Sequence, residues 1–116
     1  MSDNGFHDVD HLRRKKDFKT LFMKGIKLNR TYFTVHVYRR KEQGERVAFS
    51  AERRMGNAVC RNRAKRIMRQ AHRLRRTPTE GLDILFIARK AILTGRFGDI
   101  ESEMSRLFSE IQGIEC

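Results

Sequence analysis

The chain has 116 residues, a length that suits one domain with a modest hydrophobic core. It carries 26 Lys and Arg against 14 Asp and Glu, and the net charge of +12 favours a polyanion as partner, with a membrane surface as the alternative. No stretch is apolar enough to span a bilayer, and the acidic N-terminus MSDNGFHDVD lacks the apolar region of a signal peptide, so we expect a cytoplasmic protein without a membrane partner.

The charge is divided unevenly along the chain. Residues 11–76 contain 22 Lys and Arg and 4 Asp and Glu, whereas residues 77–116 contain 4 Lys and Arg and 7 Asp and Glu. Residues 1–10 are predicted to be a flexible acidic N-terminus, followed by a single domain over residues 11–116. We therefore expect the polyanion-binding surface within residues 11–76 and a scaffold role for the C-terminal third.

The first predicted element is a short helix in LRRKKDFKTLFMKG. Phe18, Leu21 and Phe22 share one face at helical spacing, and Gly25 is a natural end for the helix. Spacing alone favours a core position for Phe18 and Phe22 over a role in binding.

Two strands are predicted next, in TYFTVHVY and VAFSA. In the first strand one face is apolar, with Phe33, Val35 and Val37. The opposite face carries Tyr32, Thr34, His36 and Tyr38. The charged turn RRKEQGER, which contains Gly44, joins the two strands, so we predict that they pair as a hairpin.

A basic helix begins near Asn57, which is a suitable N-cap, and has an apolar stripe for core contact. The stripe consists of Ala64, Ile67, Met68, Ala71 and Leu74. Its cations lie on one flank at Arg61, Lys65, Arg69 and Arg73, with Arg63 and Arg66 on adjacent flanks. After a break at Pro78, the segment LDILFIA is apolar without alternation, which is typical of a central strand covered on both faces.

The last segment predicts a helix capped by Asp99. Its apolar face consists of Ile100, Met104, Leu107, Phe108 and Ile111. The element order is therefore α-β-β-α-β-α. This order predicts an α+β fold, a single two-layer domain in which helices pack on a small mixed sheet.

The basic helix is arranged unfavourably for a free protein. Like charges four residues apart repel by a few tenths of a kcal/mol per pair, and cations near a helix N-terminus oppose its dipole by roughly 0.3–1 kcal/mol each. A bound phosphate backbone would reverse both effects, and arginine matches phosphate bidentately. A solvated basic face that serves solubility is the alternative interpretation.

Ring side chains on the polar face of the first strand indicate a platform for bases. Tyr32, His36 and Tyr38 form one row, which would be unusual for a solvated surface. Aromatic residues on a sheet face beside a basic helix are typical of single-stranded RNA binding, so the domain over residues 11–116 is predicted to bind RNA. No helix-turn-helix pair is evident, and we expect no binding to DNA.

The sequence lacks the spacing of a catalytic or metal site. No HExxH, GxSxG, P-loop or GxGxxG motif is present. The histidines are His7, His11, His36 and His72. Cys60 and Cys116 have neither zinc-site spacing nor the number needed for a disulfide framework. We therefore expect no catalytic residue and no metal ligand in the protein, and Glu52, an acid near the basic segment, has no evident role.

The segment GNAVCRNRAKRIMRQA resembles the motif GNAVxRNRxKRxxR of the bacterial ribonuclease P protein subunit family. KKDFKTLFMKG, RVAFSAERRMGNAV and DILFIARKA agree with other blocks of that family, so the resemblance extends from about Leu12 to about Phe108. It implies a left-handed β-α-β crossover, whereas the general rule would predict a right-handed one.

The resemblance also implies a function. The family partners a catalytic RNA that removes the 5′ leader of precursor tRNA in an Mg²⁺-dependent endonucleolytic reaction, so the chemistry and most of the Mg²⁺ binding belong to the RNA. We expect the protein to be monomeric within a ribonucleoprotein. The residues implied to bind the RNA subunit are Arg53, Arg54, Asn57, Arg61, Asn62, Arg63, Lys65, Arg66 and Arg69. The residues implied to bind the single-stranded leader are Phe18, Phe22, Tyr32, Thr34, His36, Arg61, Asn62, Lys65 and Arg69.

Two features qualify these implications. His36 occupies a position where the family has an aromatic residue, and an imidazole stacks more weakly. Two other classes of function also remain open from the residues, namely an RNA-binding module such as a ribosomal protein and a standalone nuclease. The first explains the charge and the aromatic residues but not the motif, and the second lacks metal ligands.

Overall fold

The computed structural model describes residues 10–11, 15–40, 45–74 and 81–111. Within these ranges the elements in chain order are β1 (Asp10–His11), α1 (Lys15–Lys24), β2 (Ile26–Asn29), β3 (Phe33–Arg39), β4 (Arg46–Ala51), α2 (Ala58–Leu74), β5 (Leu82–Ala88) and α3 (Phe97–Ile111). Short 3-10 helices lie at Arg53–Met55 and Lys90–Leu93. The predicted turn at Gly44, the break at Pro78, the N-terminal residues 1–9 and Cys116 lie outside the described residues.

The sheet has the strand order β1-β4-β5-β3-β2, with β5 at its centre. β5 runs parallel to β4 and antiparallel to β3, so Phe86 pairs with Phe49 on one side and Val35 on the other. Every residue of β5 except Ile87 is buried, which confirms that LDILFIA is a central strand. The mixed sheet and its helices confirm the predicted α+β fold, and the left-handed sense of the β4-α2-β5 connection stays a prediction.

The predicted hairpin between TYFTVHVY and VAFSA is wrong, because β5 lies between β3 and β4. β5 carries apolar side chains on both faces, so a central position removes more apolar surface from water than an edge position would. The hairpin partner of β3 is β2, in an antiparallel register that places Ile26 opposite Val37 and Asn29 opposite Thr34. β2 is not predicted because the alternation of IKLN covers only four residues, and neither is the two-residue β1, which pairs with β4.

The main hydrophobic core lies between one face of the sheet and helices α2 and α3. Phe86 is fully buried there, edge-on to Phe33 at 5.4 Å and stacked on Phe49 at 5.3 Å between ring centroids. Val35, opposite Phe86 on β3, is also fully buried. The predicted stripe of α3 is confirmed, since all of its members are buried: Ile100, Met104, Leu107, Phe108 and Ile111.

The opposite face of the sheet has a smaller apolar cluster, formed with helix α1. Leu21 on α1 and Leu85 on β5 are its buried members, and Phe18 and Tyr38 pack at its margin. We call this group the α1 cluster. Because it is small, much of the sheet face beside α1 stays partly open to solvent, as the half-buried state of His36 shows.

Helix α1 ends at Lys24, as the glycine at position 25 predicts. The Gly25 N–H donates to the Leu21 carbonyl at 2.9 Å. A Cβ at position 25 would collide with the carbonyl oxygens of Leu21 and Val37. Glycine is therefore required because the end of α1 lies directly against the backbone of β3.

One member of the predicted stripe of α2 is wrong. Leu74 is 56% exposed because it is the last residue of the helix, whereas His72 is buried. The His72 ring lies 5.6 Å from the rings of Phe49 and Phe108 between centroids. An imidazole therefore completes the aromatic part of the main core, a role that spacing alone does not predict.

The predicted cap of α3 is also wrong. The helix begins at Phe97, so Asp99 lies in its first turn. Glu103, further along the helix, is buried and accepts hydrogen bonds from the backbone N–H groups of Thr31 at 3.3 Å and Tyr32 at 2.9 Å. Glu103 therefore fixes the loop between β2 and β3 to α3, since each buried N–H needs an acceptor.

Candidate nucleic-acid interface

The N-terminus of α2 is capped as the sequence predicts. The Asn57 side-chain oxygen accepts a hydrogen bond from the Cys60 backbone N–H at 3.0 Å. Gly56 has a φ of +130°, which side chains rarely allow, and it turns the chain into the helix. The first turn contains no acidic residue, so no side chain of the helix offsets the positive end of its dipole.

The helix has a buried face and a cationic face. Ala64, Met68 and Ala71 are fully buried against the main core. The cationic face carries the predicted RNA-binding residues Arg61, Asn62, Arg63 and Arg66, exposed, with Lys65 and Arg69 half-buried at its border. At about 100° per residue, Arg66 lies near the middle of the exposed arc. The predicted residues of α2 are therefore accessible around the solvent side of the helix, and we call this part of the molecule the α2 surface.

The charge at the centre of this surface is uncompensated among the residues that the structure describes. Within the described ranges of the chain, Arg61, Arg63, Lys65 and Arg66 form no ion pair. Repulsion between like charges and their opposition to the helix dipole therefore persist in the free protein. An external polyanion would relieve both effects.

Further cations lie beside the start of α2. Arg53 and Arg54 are exposed on the 3-10 helix, whose Met55 is buried in the main core and holds it in place. A cleft of about 350 Å³ adjoins this turn, and its lining residues are Thr31, Glu52, Arg54, Arg89, Lys90 and Ala91. Arg89 and Lys90 are absent from the predicted site residues, although the block DILFIARKA contains them. Glu52 contributes a carboxylate to this otherwise cationic cleft.

Helix α1 and the neighbouring strand face form a second candidate site. Phe22 is 52% exposed and meets the His36 ring edge-on, with 4.6 Å between the ring centroids. The interpretation of Phe22 as a core residue is therefore wrong. Phe18, one turn earlier, packs against Leu21 in the α1 cluster, as its spacing indicates. The exposed Phe22 and the His36 ring can each stack on a planar group.

The strand β2 adds polar side chains to this second site. Lys27 lies opposite His36 and Asn29 lies opposite Thr34, so the four side chains share one face of the sheet. The Thr34 hydroxyl donates to Asn29 Oδ1 at 3.3 Å. Because the sequence does not predict β2, Lys27 and Asn29 are absent from the predicted site residues. We call the group formed by Phe22 and these four residues the α1 cleft.

Tyr32 does not join the α1 cleft. Its ring packs on the main core and against Gly95. Tyr32 precedes the first residue of β3, so it does not follow the alternation of that strand. The predicted row of Tyr32, His36 and Tyr38 is therefore wrong in its first member.

His36 is the titratable ring of the α1 cleft. Burial, and secondarily the charge of Lys27, lower the pKa of His36 below its ordinary value of 6.5. The imidazole is therefore neutral at neutral pH, with one nitrogen as donor and the other as acceptor. In that state it can stack on a base and hydrogen-bond without adding charge.

The described part of the chain meets the requirements of neither a metal site nor a membrane-spanning helix. Its His, Cys, Asp and Glu side chains include no group of three that could hold a metal ion. Its helices include none with the length and apolar character needed to cross a membrane.

The fold and the two sites define a class of protein: a small α+β domain with a mixed sheet, an exposed cationic helix and an open aromatic cleft. A family model described as ribonuclease P matches residues 6–112. The chain therefore belongs to the ribonuclease P protein family, which confirms the resemblance carried by GNAVCRNRAKRIMRQA.

Individual relatives agree with this assignment. The ribonuclease P protein component of Desulforapulum autotrophicum is 32% identical over 112 residues, 96% of each chain. That of Streptococcus thermophilus is 37% identical over 93 residues, 80% of this chain and 84% of the relative. The solved RNase P protein of Thermotoga maritima is 27% identical, with a TM-score of 0.73 over 92% of this chain and 99% of that one. A mutant RNase P protein of Staphylococcus aureus, defective in mRNA degradation, is 25% identical, with a TM-score of 0.76 over 88% and 87%.

Proposed function

We propose that this protein assists a catalytic RNA in removing the 5′ leader of precursor tRNA, an endonucleolytic step that leaves the mature 5′ end. The observation that carries the proposal is the α2 surface, where Arg61, Arg63 and Arg66 are exposed and, among the described residues, form no ion pair. Membership in the ribonuclease P protein family supports association with the RNA subunit. The protein acts as a monomer within a cytoplasmic ribonucleoprotein.

The α2 surface binds the RNA subunit in this proposal. Guanidinium groups bind phosphate bidentately, and the positive end of the helix dipole, which no acidic residue of the first turn offsets, adds to the attraction. Arg53 and Arg54 extend the contact beyond the start of the helix. Asn57 serves the interface through its cap, since the cap fixes where the helix begins.

The α1 cleft binds the single-stranded leader. Phe22 and His36 present stacking surfaces, and Thr34 and Asn29 present polar atoms to base edges or ribose. Phe18 supports the helix from within the α1 cluster, and Tyr32 supports the loop from the main core. Arg61, Asn62, Lys65 and Arg69, which the family resemblance assigns to both RNA partners, contact the leader from the α2 surface.

The protein contributes charge and position, and none of its side chains takes part in the chemistry. In this proposal the Mg²⁺ is bound mainly by the RNA subunit, as the family resemblance implies. Cations of the protein reduce repulsion between the RNA strands, so the RNA needs a lower Mg²⁺ concentration.

Reconstitution tests the proposal directly. The protein is combined with a bacterial ribonuclease P RNA, and cleavage of precursor tRNA is measured at a low Mg²⁺ concentration at which the RNA alone is slow. We expect faster cleavage with the protein and none with the protein alone. Cleavage that the protein does not accelerate contradicts the proposal.

The variant Arg66→Ala tests the α2 surface. Loss of one phosphate contact is expected to lower the slope of log affinity against log salt by about one unit. The matched control is Arg106→Ala, which removes an exposed arginine from α3 in the acidic part of the chain. Filter binding of the RNA subunit over a salt series is the measurement, and identical slopes for the two variants contradict the assignment.

A further inference from the structure

A polar network crosses the sheet beneath the first turn of α1. Asp83 on β5 is buried, and its Oδ1 accepts hydrogen bonds from Arg40 Nε at 2.7 Å and from Arg46 Nε at 2.8 Å. Its Oδ2 accepts a third from Arg46 Nη2 at 2.7 Å. The remaining guanidinium nitrogen, Arg46 Nη1, donates to Asp17 Oδ2 on α1 at 3.2 Å. Arg46 therefore joins a carboxylate of the sheet to a carboxylate of the helix.

The network is largely shielded from water. The side chains of Arg46, Asp17 and Asp83 are 23%, 15% and 4% exposed. The hydrogen bond to Asp83, and then the charges of Asp83 and Asp17, raise the pKa of Arg46 despite its partial burial. A pair this shielded is more strongly coupled than a surface ion pair, and removal of one partner leaves an uncompensated charge.

Elsewhere in the described part of α1, side-chain contact with the sheet comes from the small α1 cluster, in which Leu21 is buried and Phe18 packs at the margin. At the other end of the helix, Gly25 lies against the Val37 carbonyl of β3. Asp17 and Gly25 therefore fix the two ends of α1, and Phe22, which faces His36, lies between them.

We propose that Asp17 is a positioning residue for leader binding: through Arg46 and Asp83 it holds α1 over the sheet and sets the opening of the α1 cleft between Phe22 and His36. The inference rests on the proposed function, because it assigns the cleft to the leader. Asp17 touches no RNA itself. Its effect is confined to contacts that depend on where α1 lies, and it leaves the α2 surface unchanged, since that helix packs on the other face of the sheet.

The first experiment uses the free protein. The variant Asp17→Asn keeps the shape of the side chain and removes its charge, and hydrogen–deuterium exchange is followed by mass spectrometry. We expect faster exchange in α1 and unchanged exchange in β5 and α2. The control is Asp99→Asn, an equal change of charge at an exposed position of α3, which should leave α1 unchanged.

The second experiment uses the reconstituted holoenzyme with two ligands, precursor tRNA with its leader and mature tRNA without one. Asp17→Asn is expected to weaken binding of the precursor by about three- to tenfold and to leave mature tRNA and RNA-subunit binding unchanged. Asp17→Glu, which restores the carboxylate, should recover most of the loss, and Asp99→Asn should match the wild type.

The outcomes separate the two proposals. Equal weakening of both ligands, or no weakening of the precursor when the wild type does distinguish the ligands, overturns the positioning role of Asp17. A wild-type holoenzyme that binds precursor and mature tRNA equally overturns leader binding itself. In that case the exchange experiment still decides whether Asp17 holds α1 on the sheet.

Discussion

The two faces of the sheet are built in different ways. The face beneath α2 and α3 is covered by a continuous apolar core that includes Phe33, Phe86 and Phe108. Among the described residues, the face beneath α1 has a small apolar cluster in which Leu21 and Leu85 are buried, and an ion-pair network around Arg46 adds further contact. The first face therefore supplies the stability of the fold, while the second leaves rings and polar groups open for a ligand.

The difference explains how a small basic protein can be stable and still expose aromatic rings. Burial of apolar surface is the dominant favourable term in folding, so the covered face can compensate for a sparsely packed one. An open face that was itself essential for stability would tolerate neither an exposed Phe22 nor polar residues such as Asn29 and Thr34. Neighbouring residues of β5 allow a direct test, because successive side chains point to opposite faces.

The largest expected effect is on the covered face. Phe86→Ala should lower the free energy of unfolding by about 3–5 kcal/mol, because a fully buried ring in contact with four others leaves a cavity. Leu85→Ala, its neighbour on the open face, should cost only about 2 kcal/mol because the α1 cluster can collapse or admit water. Urea unfolding followed by circular dichroism measures both, and equal losses would contradict the comparison.

An intermediate effect is expected at the open face itself. Phe22→Ala should weaken leader binding by about 1–3 kcal/mol if the ring stacks on a base. Stability should change by less than about 0.5 kcal/mol, because the side chain is half exposed. Met23→Ala, at a still more exposed neighbouring position, is the control and should change neither quantity. A large loss of stability with unchanged leader affinity would show that Phe22 acts in packing and does not bind the leader.

The smallest expected effect is a pH dependence at His36. Its pKa is lower in the folded protein than in the unfolded chain, so below about pH 6.5 the unfolded state binds more protons and stability falls as the pH falls. His36→Phe removes this contribution. Between about pH 7.5 and 5.5 the wild type should therefore lose more stability than the variant. Thermal unfolding across that range measures the difference, and parallel curves would show that the pKa of His36 is the same in the folded protein and in the unfolded chain.

The sequence predicts those elements whose signal is local. The apolar run LDILFIA identifies a central strand, the stripe from Ile100 to Ile111 identifies a helix, and Asn57 identifies a cap, because in each case the pattern and its cause lie in one segment. Strand order is not local. The hairpin prediction fails because the position of β5 depends on segments more than thirty residues away.

The candidate sites show the same limit. The α2 surface follows from the spacing of arginines along a single helix, so the sequence predicts it. The exposure of Phe22 does not follow from spacing, because Phe18, Leu21 and Phe22 share a helical face of which the sheet covers only part. Lys27 and Asn29 belong to the cleft because β2 pairs with β3, which the sequence does not predict. Tyr32 does not belong to it, because β3 begins one residue later, at Phe33.

The central position of β5 has a consequence for biosynthesis. β3 and β4 each pair with β5, so neither can complete its pairing until the ribosome has released residues up to Ala88. Before that point the nascent chain can form the β2–β3 hairpin and an arginine-rich helix that lacks the surface it packs against. The highly cationic segment therefore emerges unfolded or partly folded beside ribosomal RNA. Once β5 is available, the sheet can form and α2 can pack against it.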